Sequence, residues 1–196
     1  SVVVFLLLGS ATITTFILSA LLQKHKIRIY EIASCILALI GLGLIFGMQD
    51  IHGIQLQGLI LAIIAGFGYG VFITISPIFN IGSGLIVVNS LLLFGTLYLF
   101  IPVFYMRLSI PTLNSLPLLL LLSLLPTIGG FWCTTKALVL LKSSTVQLIQ
   151  LSEPVFAILM AYIFLNQQLT YPEILGGTCI LFAIYVNYFC SRIVGG

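Results

Sequence analysis

Residues 143–188 read SSTVQLIQLSEPVFAILMAYIFLNQQLTYPEILGGTCILFAIYVNY, and this stretch decides the fold. It divides into an apolar segment from about Ser143 to Leu165, a short polar turn at Asn166-Gln167-Gln168, and a second apolar segment after Pro172. At ~1.5 Å rise per residue, a helix over Ser143–Leu165 is long enough to cross a ~30 Å hydrocarbon core. Glu153 then falls near the bilayer midplane, where a charge costs ~2.5–3.5 kcal/mol on insertion scales. Pro154 follows at once, removes a backbone donor and loosens the helix where the acid sits. Two readings stay open. Glu153 faces an internal pathway, or it is a neutral acid that hydrogen-bonds a neighbouring helix and holds the bundle together.

Composition extends the same conclusion to the whole chain. Its 196 residues are 61% hydrophobic and only 6% charged, with a mean hydropathy of +1.29. A soluble domain carries about 25% charged residues, so the solvent of this chain is lipid. Seven apolar segments follow one another, at about Val2–Leu22, Tyr30–Gly47, Leu56–Phe79, Gly84–Tyr105, Leu116–Leu141, Ser143–Leu165 and Tyr171–Tyr188. Each has the length of a spanning helix, and lipid demands that backbone groups be satisfied within the segment. The fold class is therefore an all-α integral membrane protein with seven transmembrane helices. The net charge of +3 carries no nucleic-acid signal; its meaning lies in where the cations fall. Lys24, Lys26 and Arg28 crowd the first connection and mark it as cytoplasmic. Counting crossings puts Lys142 and Arg192 on the same side with Lys136 close by, and leaves Arg107 opposite, beside Asp50 and His52. Cys35, Cys133, Cys179 and Cys190 lie in or at the end of apolar runs and read as small packing residues.

The run Leu151-Ser152-Glu153-Pro154-Val155-Phe156-Ala157, then Phe164-Leu165-Asn166-Gln167-Gln168-Leu169, then Glu173-Ile174-Leu175-Gly176-Gly177 resembles the C-terminal signature of the EamA family of the drug/metabolite transporter superfamily. The turn departs from the family pattern, since Asn166-Gln167 stand where Gly-Glu is usual. The resemblance implies a ten-helix fold of two five-helix inverted repeats. Residues 1–47 would be the last two helices of the first repeat and residues 55–190 the whole second repeat, with the chain start at Ser1 read as a truncation. It also implies a permease for metabolites, amino acids or drug-like compounds, in a bacterial inner membrane. An internal repeat at an offset of 142 agrees: Ser10 aligns with Ser152, Glu31 with Glu173, Ile32 with Ile174 and Leu39 with Leu181.

Few side chains within the spans carry chemistry. Ser144, Gln147, Gln150 and Glu153 recur every three residues, and such a polar stripe should face the bundle or a cavity. Thr12, Thr15 and Ser19 make a weaker stripe on the first helix, where hydroxyls can instead bond their own backbone. Gly66 and Gly70 form a small-xxx-small pattern that lets helices approach, with Tyr69 between them offering a hydroxyl. Pro126, Gly129 and Gly130 argue for a kink or an unwound stretch, followed by Trp132 and by Lys136, which either snorkels or meets an anionic substrate or Glu153. The expected substrate or proton pathway is thus Glu153, Pro154, Gln150, Gln147, Lys136, Tyr69 and Trp132. No catalytic set, metal cluster or cofactor motif is read: His25 and His52 lie in connections, and no Ser-His pair or paired Asp occurs within the spans. The expected partners are the bilayer and a small-molecule substrate, with a homodimer as an alternative source of a second half and no nucleic acid. A non-transporting membrane scaffold is the competing reading. A transporter should show a cavity lined by Gln147, Gln150 and Glu153; a scaffold should be packed solid there.

Overall fold

A computed structural model describes residues 2–22, 28–47, 56–106 and 116–195. Lys24, His25, Lys26, Asp50, His52 and Arg107 lie outside the described residues. The elements are α1 (Val2–Leu22), α2 (Ile29–Phe46), α3 (Leu56–Ile78), α4 (Leu85–Met106), α5 (Leu116–Leu122), a π-helical stretch (Ser123–Gly129), α6 (Gly130–Leu140), α7 (Ser143–Gln150), α8 (Glu153–Leu165) and α9 (Tyr171–Gly195). Among the described residues, seven helical segments are long and apolar enough to span a membrane; two are composite, Leu116–Leu140 and Ser143–Leu165. Their outward faces are apolar, as lipid requires: Leu21, Leu61, Phe164 and many like them are exposed. The protein is an all-helical integral membrane protein.

The chain divides into two compact units, one of residues 1–78 with 142–196 and one of residues 79–141. In the first, α3 packs along α1 and α9 along α2. The α1–α3 pair is parallel and depends on glycine. A β-carbon on Gly70 would come within 2.7 Å of the Ala11 carbonyl oxygen and 2.8 Å of Thr14 Cβ, and one on Gly66 would collide with Ser10 and Leu7. The small-xxx-small pattern is a packing device here.

The α2–α9 pair is antiparallel. A β-carbon on Gly41 would lie 2.6 Å from the Gly176 carbonyl oxygen and 2.9 Å from Ile180, and one on Gly176 would lie 2.7 Å from Ile45. These contacts fix a register that continues as Ala38 opposite Ala183 and Ser34 opposite Asn187. All eight positions are buried, so small residues and Ile form one close-packed seam. The core around it includes Leu8, Phe16, Leu42, Leu148, Leu151 and Val155.

The second unit holds α4, α5, the π-helical stretch and α6, with α6 along α4. Asn80, Gly82 and Gly84 at its entry all have positive φ (48°, 87° and 105°), a backbone region that glycine enters without steric cost. The expected kink in the fifth span takes the form of a widened turn. Pro126 has no N–H for the Leu122 carbonyl, and the Thr127 hydroxyl donates to that oxygen instead at 3.2 Å.

Candidate functional site

The sixth span departs from the single helix expected of it. Ser143–Leu165 is not a single helix: α7 ends at Gln150 and α8 begins at Glu153, with a tight turn at Leu151-Ser152. The Leu151 amide is shared between the Gln147 and Leu148 carbonyls (3.3 and 3.1 Å), the Ser152 amide donates three residues back to Ile149 O at 3.0 Å, and the Ser152 hydroxyl also donates to Ile149 O at 2.6 Å. The cause is Pro154. Without an N–H it cannot continue an α-helix through its own position, but it is well placed in a first turn, and there it sits, buried.

The break changes the position of Glu153. It stands in the first turn of α8, just past the Leu151-Ser152 turn. It is exposed rather than buried. The polar stripe therefore does not share one environment. Ser144 and Gln147 are buried, Gln150 is half-buried and Glu153 is exposed.

The buried part of the stripe faces α1 and α3. The Gln147 amide nitrogen donates to the Thr12 hydroxyl at 3.1 Å, and that hydroxyl donates onward to the Leu8 carbonyl at 2.7 Å. The Thr12 stripe thus does both things its residue type allows, bonding its own helix and receiving a side chain from another. The Gln150 amide nitrogen donates to the Tyr69 hydroxyl at 2.7 Å. Ser143 donates to the Ile73 carbonyl at 3.0 Å. Gln147 has 0% of its surface exposed, so it borders no water-sized space in this conformation. The cavity expected between Gln147, Gln150 and Glu153 is replaced by packing at Gln147, because the side chain finds a hydroxyl partner 135 residues away in sequence. The Gln147 side-chain oxygen is buried with no partner among the described residues.

Trp132 and Lys136 belong to the second unit, where they are four residues apart on one face of α6 and both exposed. Of the seven expected pathway residues, the first unit brings together Tyr69 and Gln150 directly, sets Gln147 one turn away on α7, and places Glu153-Pro154 just past the break.

Sequence reasoning missed one pair. Lys142, at the start of α7, reaches Glu31, at the start of α2, with Nζ–Oε1 3.2 Å. The other oxygen of Glu31 accepts from the Arg28 amide at 3.4 Å. The pair puts the starts of α2 and α7 at the same end of the first unit, and antiparallel α9 brings Arg192 to that end too. The signal available in the sequence was the acid at the head of an apolar run. Its aligned counterpart, Glu173, does the same capping job, accepting from the Thr170 amide and hydroxyl, both at 2.8 Å. Arg28 and Thr170 are themselves 142 apart.

The comparisons with known proteins agree with this architecture. Neither a curated protein nor a solved structure matches the chain significantly. A sequence profile of the EamA-like transporter family matches residues 56–189, which run from the head of α3 into the last turns of α9. With more than half of its length matched, and with seven apolar helices of spanning length, this chain belongs to the EamA-like transporter family and is a membrane transporter.

Proposed function

We propose that the protein carries a small polar or amphipathic metabolite, of the size of an amino acid or a drug-like compound, across a bacterial inner membrane by alternating access. The observation that carries this reading is the broken span. Half-way along Ser143–Leu165 a tight turn interrupts the span, an acid and a proline open its second half, and Gln150 on the preceding turn bonds Tyr69 of α3. Broken helices with polar groups at mid-span are where transporters of inverted-repeat design hold substrates and coupling ions. The repeat organisation, residues 1–47 closing a first half and residues 55–190 forming a second, belongs to the proposal. Two features support it: Glu31 and Glu173 cap their helices alike, and the α2–α9 seam has its middle layers at Ala38 and Ile180, which are 142 apart. A two-fold relation between halves requires such self-pairing.

In this role Glu153 exchanges a proton with substrate or with the two aqueous sides, while Gln147 and Gln150 supply the polar contacts once α7 separates from α1. The packed state of Gln147 is what a non-transporting scaffold would also show, so that reading keeps one observation in its favour. Reconstitution separates the two. Proteoliposomes carrying the protein should accumulate a member of an amino-acid and amine panel under an imposed pH gradient. Glu153→Gln keeps shape and hydrogen bonding but removes titration; it should abolish the pH dependence of accumulation and preserve substrate exchange. Folded protein that moves no panel member overturns transport of this substrate class. Full pH dependence in the Gln variant removes Glu153 from coupling.

A further inference from the structure

The geometry points to a lipid site between α8 and α9: a groove that takes one acyl chain of an aminophospholipid and holds its headgroup ammonium at Glu173. This inference rests on the membrane-spanning architecture and not on the substrate reading.

Two cavities meet at Glu173. One, of about 200 Å³, runs between α8 and α9 and is lined by Ile158, Leu159, Glu173, Gly177, Thr178 and Leu181 among others. The other, of about 250 Å³, lies between the end of α2 and α8, with Gln167, Gln168 and again Glu173 at its mouth and Ala161, Ala157 and Pro154 deeper along α8. Both lie wholly within the first unit. Glu173 is the one charged residue lining either of them.

The first cavity has the form of a trough for a chain. From Glu173 to Leu181 α9 rises about 12 Å. Gly177 and Val155 form the floor: a β-carbon on Gly177 would meet Val155 at 3.5 Å, and the glycine keeps that floor flat. Thr178 does not make the trough polar, because its hydroxyl is already donated to the Leu175 carbonyl at 2.8 Å. α9 packs along α2 and only lightly on α8, which leaves the trough open between α8 and α9 from Glu173 to Leu181. In a bilayer, an apolar trough on a spanning helix pair is filled by hydrocarbon.

The mouth of the second cavity has the polarity of a headgroup site. Glu173 Oε2 accepts both bonds from Thr170, and Oε1 has no protein partner among the described residues. Arg28, Lys142 and Arg192 stand at the opposite end of this unit, so no described cation of the unit competes for it. Gln167 and Gln168 bring carboxamide N–H donors suited to a phosphate oxygen. An acceptor for ammonium beside donors for phosphate, above an apolar trough, complements phosphatidylethanolamine. Phosphatidylglycerol lacks the ammonium, and phosphatidylcholine has no N–H to donate.

The test is lipid retention by the protein purified in mild detergent and offered equal amounts of phosphatidylethanolamine, phosphatidylglycerol and phosphatidylcholine, read by native mass spectrometry. The expected result is preferential retention of phosphatidylethanolamine, by roughly fivefold as for a partly exposed ion pair. Glu173→Gln keeps the cap on α9 and should bring the three lipids to equal retention. Gly177→Leu should lower retention of all three; Thr178→Trp, which fills the same trough from an exposed position, should do so where Gly177→Leu does not fold. Equal retention by the unmodified protein, or a preference that survives Glu173→Gln, overturns the site. Displacement of the lipid by phenethylamine, with no effect of either trough substitution, would assign Glu173 to soluble amines and overturn the lipid proposal.

Discussion

Glu31 has only 8% of its side chain exposed, and its charge is matched by one cation, Lys142, itself 33% exposed. The aligned Glu173 meets no protein cation among the described residues and sits at a more open place. The difference lies in surroundings, since both acids cap a helix in the same way. A half-covered pair contributes little when intact, but removing one partner strands the other. Lys142→Met should therefore lower stability by roughly 1–2 kcal/mol, while adding Glu31→Gln to it should restore most of the loss. Thermal unfolding of the two single variants and the double variant in detergent forms the cycle that measures this. Strictly additive losses would mean that the two side chains do not interact. Gln147 poses the same problem in neutral form. Its buried side-chain oxygen has no partner among the described residues, a cost that a moving α7 or an incoming donor would relieve.

At the scale of the helix, glycines decide which elements touch. Gly41, Gly66, Gly70 and Gly176 each sit where a methyl group would meet another backbone or side chain, whereas Gly68, two residues from Gly70 on the same helix, has open space. Gly41→Ala and Gly70→Ala should each cost about 1–3 kcal/mol through overpacking. Gly68→Ala should be neutral or slightly stabilising, because alanine is the better helix former. Equal effects at Gly68 and Gly70 in thermal unfolding would show that close approach of α1 and α3 is not what Gly70 provides. These same elements show what a sequence can and cannot carry. Apolar runs of spanning length gave seven helices, because lipid leaves the backbone no alternative. Pro126 and Pro154 marked the two places where a span departs from regular α-helix. The run through Pro154 still reads as one helix, since hydrophobicity continues across the break and only the missing N–H divides it. Side-chain partners were not legible. Gln147 meets Thr12 across 135 residues and Lys142 meets Glu31 across 111, and no periodicity within one helix encodes which neighbour its polar face will find.

For the whole molecule, the arrangement of ends makes a topological claim. Arg28, Lys142 and Arg192 share one end of the first unit, and the turn at residues 166–170 lies at the other, because α9 runs against α2. By the positive-inside rule, the basic end is expected on the cytoplasmic side. If residues 1–47 and 55–190 are inverted copies, positions 142 apart must face opposite sides of the membrane. His25 and Gln167 are such a pair, and replacing them leaves the neighbouring cations Lys24, Lys26 and Arg28 untouched. In a background with Cys35, Cys133, Cys179 and Cys190 replaced, Gln167→Cys should react with a membrane-impermeant maleimide added to intact cells. His25→Cys should react only after the membrane is opened. Both positions reacting from the outside, or both only from within, would rule out inversion, because an odd number of crossings must separate the two copies. Removing Lys24, Lys26 and Arg28 together from the His25→Cys chain adds a second arm. If these cations hold the orientation, a fraction of the molecules should insert the other way and label from outside. An unchanged pattern would show that Lys142 and Arg192, at the same end, suffice.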